Sequence, residues 1–118
     1  MKRKYIYSVL IIDEASPELE QLCRMLNDSG YQAHVYENVQ DAYQHCLARR
    51  PDVILTEINH VVGNTGEFFH QLQLNYVTRD IPVIAMTFEE SSSSRIAVME
   101  MGVADFIQKP FYPEEVIA

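Results

Sequence analysis

The chain has 118 residues, of which 47% are hydrophobic and 22% charged. That length and balance fit one domain, residues 1–118, able to bury a core, and they exclude a disordered segment. Nine Lys and Arg against 17 Asp and Glu leave a net charge of −8, which argues against direct nucleic-acid contact by this domain, since it repels a phosphate backbone.

The basic cluster Lys2-Arg3-Lys4 precedes the run from Tyr5 to Ile12. That run is too short and polar-interrupted to span a membrane and carries no small-residue cleavage pattern, so the expected location is cytoplasmic, with no membrane partner. Within it, Ser8–Ile12 reads as a first strand. Ser16-Pro17 then starts a helix whose apolar stripe is Leu19, Leu22, Met25 and Leu26, stopped by Gly30. His34–Tyr36 is a second strand, and Val39, Ala42, Tyr43 and Cys46 form a second stripe closed by Pro51. Val53–Leu55 is a third strand. Phe68, Phe69 and Leu72 follow Gly66 as a third helix, and Val83–Met86 is a fourth strand. The run Ser91-Ser92-Ser93-Ser94 reads as a solvated loop capping a fourth helix marked by Ile96 and Met99 and ended by Gly102. Phe106–Ile107 is a fifth strand, and Pro113-Glu114-Glu115 opens a fifth helix that the chain end truncates.

Strands alternating with helices imply parallel pairing through right-handed crossovers, with helices on both faces of the sheet. Cys23 and Cys46 read as two reduced thiols on helices. The four histidines, His34, His45, His60 and His70, are scattered. His60 lies near Glu57, but no second imidazole is evident beside it, so it reads as a loop histidine.

In open parallel sheets the ligand site lies at the carboxyl ends of the strands. After the first strand come Asp13 and Glu14. The third leads into Glu57, the fourth into Thr87 and the fifth into Lys109, followed by Pro110. Three carboxylates, a hydroxyl and an ammonium on one edge suit a divalent cation and a phosphoryl group. Each residue alone is ordinary strand-end punctuation; the set in this order is specific.

With those residues in place, the chain resembles the receiver domain of two-component response regulators over essentially its whole length. The matching stretches are "VLIIDEASPELEQL" (9–22), "RPDVILTEI" (50–58), "IPVIAMT" (81–87) and "MGVADFIQKPFYPEEV" (101–116). The resemblance implies a flavodoxin-like (CheY-like) fold with strand order 2-1-3-4-5 and a signalling role in phosphorelay, not that of an enzyme. It implies Asp13 and Glu14 as the acidic pair for Mg²⁺, with Glu57 beside them at the phosphoacceptor position. It further implies Thr87 as the switch hydroxyl, Phe106 as the switch aromatic and Lys109 as the phosphate-binding lysine. The partners it implies are a histidine kinase or phosphotransfer protein and an attached C-terminal effector, the present chain being the N-terminal piece of something longer. A homodimer through the fourth helix, fifth strand and fifth helix also follows from it.

The departures from the family pattern matter as much. Receivers carry Asp at the acceptor, and this chain has Glu57; Glu14 also stands where Asp is common. Two carboxylates one methylene longer than usual weaken or distort a Mg²⁺ site, whose octahedral geometry tolerates little at about 2.0–2.1 Å. In-line phosphoryl transfer depends on positioning to similar tolerance. Phe88 stands where a small residue admits the phosphoryl group, Glu89 adds negative charge, and Val61 replaces the proline of the following loop, which is one residue longer. The expectation is an atypical pseudo-receiver, held in one conformation by Glu57 reaching toward Lys109. Two alternatives are a working receiver phosphorylated at Glu57 and an unrelated flavodoxin-like binding protein. The second lacks support from any Gly-x-x-x-x-Gly-Lys or Gly-x-Gly-x-x-Gly loop.

Overall fold

The structure, a computed structural model, describes residues 6–57, 65–87 and 103–108. In chain order its elements are β1 (Ser8–Ile12), α1 (Pro17–Asp28), β2 (Gln32–Tyr36), α2 (Val39–Ala48), β3 (Val53–Glu57), α3 (Thr65–Leu74), β4 (Val83–Thr87) and β5 (Asp105–Gln108). The strands form one parallel sheet in the order β2-β1-β3-β4-β5, as expected from the sequence. The expected fourth and fifth helices lie outside the described residues.

The sheet separates two cores. Alternation along each strand sends successive side chains to opposite faces. Leu10, Ile12, Ile54, Val83 and Ala85 therefore pack with Val39, Ala42 and Cys46 of α2 and with Phe68, Phe69 and Leu72 of α3. On the other face Val9, Ile11, Leu55 and Met86 pack with Leu19, Leu22 and Leu26 of α1. Both faces of β1, β3 and β4 are covered, which is why these strands read as unbroken apolar runs instead of alternating ones.

Local chemistry sets where the helices begin and end. Ser16 caps α1 by accepting the Leu19 N–H at 3.1 Å, with Pro17 in the first turn. At the other end the Tyr31 N–H reaches the Leu26 carbonyl and the Gly30 N–H reaches that of Asn27, the paired bonds that close a helix through a left-handed residue. Gly30 supplies that residue, with φ +92°. Asn38 caps α2, its Oδ1 accepting the N–H groups of Gln40 at 2.7 Å and Asp41 at 3.4 Å.

Several boundaries differ from the sequence reading. β2 begins at Gln32, because edge pairing with β1 recruits residues that are not themselves apolar. β3 continues through Thr56 to Glu57, because the β3–β4 ladder extends to the pair Glu57–Met86, and β4 continues to Thr87, which pairs with Gln108 of β5. Gly66 lies inside the first turn of α3 and not before it.

Candidate functional site

Register brings the predicted residues to one edge. Ile12 pairs with Thr56 across β1 and β3, so Asp13, the next residue, stands level with Glu57 at the carboxyl end of the adjacent strand. Glu57 pairs with Met86, which places Thr87 one step further along β4. Thr87 in turn pairs with Gln108, the residue before Lys109. Lys109, Phe88, Glu89, His60 and Val61 lie outside the described residues. The backbone of Phe106 is in β5, opposite Ala85.

The three acids differ in setting. Glu57 is fully buried, at 0% exposure, and Asp13 is nearly so at 7%, whereas Glu14 is exposed. The Asp13 N–H donates to the Tyr36 carbonyl at 3.0 Å, and its Oδ1 accepts the Glu14 N–H at 2.7 Å. The β1–α1 loop is thereby folded back on the acid it carries. Beneath the site the Thr56 hydroxyl donates to the Glu57 carbonyl at 3.1 Å.

One contributor was not foreseen. Glu37, immediately after β2, accepts the Ala15 N–H at 3.2 Å through Oε1 and so ties the loop bearing Asp13 and Glu14 to the sheet's edge strand. The same rule that picked out the residues after the first, third, fourth and fifth strands, applied to the second, would have found it.

Among the described residues no three His, Cys, Asp or Glu side chains are placed to hold a metal ion together. Glu14 is turned to solvent while Glu57 is enclosed, so the described acids do not converge as a three-carboxylate cluster. The arrangement can instead hold a buried carboxylate at the centre of the edge, where a nearby cation is worth far more than it would be in water.

A parallel five-stranded sheet in this order, with α1 on one face, α2 and α3 on the other and acids at the carboxyl edge, defines the flavodoxin-like, CheY-like class. Comparison with solved structures agrees. A response regulator from Chloroflexus aurantiacus superposes with a TM-score of 0.86 at 23% identity, covering 96% of this chain and 93% of that one. The chemotaxis response regulator CheY4 of Vibrio cholerae gives 0.86 at 23%, covering 96% and 94%. The sequence matches the response regulator receiver domain family over residues 9–118, and the chain belongs to that family. It is 34% identical over 112 residues to the phosphate regulon transcriptional regulatory protein PhoB of Pseudomonas aeruginosa, covering 94% of this chain and 48% of that protein. The corresponding Escherichia coli protein is 31% identical over 110 residues, 93% of this chain and 48% of that one. The chain thus spans about half the length of the curated relatives it matches. Among the described residues no helix is long and apolar enough to cross a membrane.

Proposed function

We propose that this receiver domain is an atypical one that works through protein–protein interaction, without ordinary aspartyl phosphorylation. The observation that carries the reading is Glu57, a glutamate enclosed at the end of β3 and level with Asp13. A fully enclosed side chain cannot swing its extra methylene into solvent. The carboxylate therefore extends further from the strand than an aspartate's would, toward the space a phosphoryl group needs. A Glu57–Lys109 pair reproduces part of the charge arrangement of a phosphorylated receiver without phosphate. Thr87 and Phe106 then serve as the hydroxyl and aromatic that register that charge, in one fixed state. Residues 1–118 act as one signalling domain in the cytoplasm, passing that state to an attached C-terminal effector or to a second copy through the fourth helix, fifth strand and fifth helix. The net charge of −8 keeps the domain itself off nucleic acid. A histidine kinase or phosphotransfer protein is its docking partner where one is used.

The test is intact-mass spectrometry after incubation with acetyl phosphate, with and without Mg²⁺, on the wild type and Glu57→Asp. The wild type is expected to gain no alkali-labile phosphoryl adduct. An adduct on the variant alone assigns the block to one methylene, and none on either assigns it to the surrounding pocket. An adduct mapped to Glu57 in the wild type overturns the proposal and makes this a working receiver.

A further inference from the structure

Away from the acidic edge, the fold brings together two histidines that the sequence leaves eleven positions apart. His34 lies on the edge strand β2 and His45 on α2, and their rings are 4.8 Å apart between centroids, tilted at 45°. Tyr36, two residues along β2 on the same face as His34, has its hydroxyl 2.9 Å from Nδ1 of His45. The three side chains line an open groove of about 570 Å³ together with Asp41, Gln44 and Arg49.

We propose that His34 and His45 form a two-imidazole binding site for a borderline divalent transition ion such as Zn²⁺, with Tyr36 as the positioning residue. Imidazole suits Zn²⁺, Cu²⁺ and Ni²⁺, whereas Mg²⁺ takes oxygen ligands. With a metal–nitrogen bond of about 2.0–2.1 Å, two rings converging on one ion at roughly 90–110° have centroids about 4.5–5.2 Å apart. The observed separation lies inside that interval. A ligating histidine normally directs its other ring nitrogen to an oxygen acceptor, which fixes the tautomer. The Tyr36 oxygen stands where the Nδ1–H of His45 would donate, leaving Nε2 with its lone pair for the ion. Asp41, one turn before His45, lies in the same groove as a further oxygen donor. Two protein ligands leave the remaining coordination to water, consistent with no third His, Cys, Asp or Glu being placed to complete a site among the described residues.

The probe is Zn²⁺ added to the metal-free chain, with affinity read by titration calorimetry and Mg²⁺ as the control ion. One equivalent of Zn²⁺ is expected, weakened at least about tenfold in His34→Gln and in His45→Gln, and about ten- to hundredfold in Tyr36→Phe. Circular dichroism establishes that each variant is folded. On the wild type, Zn²⁺-dependent shifts of the imidazole ¹⁵N resonances are expected at His34 and His45. Shifts only at His60 or His70, affinity within about twofold of wild type in both histidine variants, or no binding of Zn²⁺ in preference to Mg²⁺ would each overturn the site. Because Glu57→Asp leaves this groove untouched, failure here is distinguishable from failure of the phosphorylation test.

Discussion

At Glu57 the physical question is where one methylene can go, and burial answers it: nowhere but inward. Asp13 beside it is held at both its backbone and its side chain, by Tyr36 and by the Glu14 amide, so it cannot retreat to make room. The sequence supplied the identities of these acids and the strand ends they occupy. It did not supply their unequal exposure, because whether a carboxylate one residue past a strand folds inward depends on loop hydrogen bonds such as that of Glu37 with Ala15. A second enclosed side chain gives a cleaner test of burial. Cys46 is fully buried, and that burial pushes its thiol up to about 12, against a smaller opposing effect of a backbone hydrogen bond. The thiol therefore stays protonated in the fold after the unfolded chain has begun to ionise near its ordinary 9.0. The folded pKa is raised, so this contribution is complete below about pH 9 and drains away as the pH climbs from there toward 12. Urea midpoints measured from pH 8 to 10.5 should fall more steeply in the wild type than in Cys46→Ala, even though the variant starts lower. Equal slopes would locate the alkaline loss elsewhere.

Among the elements, α2 carries the clearest local signal and the clearest local vulnerability. Asn38 satisfies two amides at the helix start that otherwise have no intrahelical partner. Asn38→Ala should lower stability by about 1 kcal/mol while Asn38→Asp retains most of it, read from urea midpoints at pH 7. If the alanine variant is as stable as the parent, α2 is held by its packing alone. The start of α1 at Ser16 and Pro17 was legible, because a cap is a property of four consecutive residues. The strand ends were not, because a ladder is a property of two segments. Nothing within "TEI" says that Thr56 and Glu57 still pair, and the answer comes from Ala85 and Met86 opposite them. Likewise, His34 and His45 look unrelated along the chain and become neighbours only when α2 packs on β2.

At the scale of the whole molecule, alternation within single strands divides the hydrophobic residues between two cores with almost nothing shared. Periodicity in the sequence announced the sheet and its helices, while the order of the strands was implied by the family resemblance; periodicity could not assign each stripe to a side, since unbroken runs such as VLII carry no alternating mark. The division has an energetic signature. Leu22→Ala under α1 and Leu72→Ala under α3 each empty a buried site and should each cost about 2–5 kcal/mol. Lying in different cores, they should add to within about 0.5 kcal/mol in the double variant. A coupling well above that in denaturant titrations would mean the two sides relax together.

The sheet is thus a septum one residue thick. Leu10 and Ile11 are bonded neighbours whose side chains belong to different interiors. A lesion on one side is open to repair only from that side. A void left at Leu22 can be refilled from Val9, Ile11, Leu55 or Met86, while enlarging any residue beneath α2 or α3 leaves it empty. Two independent histories of compensating change can therefore run along the same five strands, interleaved residue by residue.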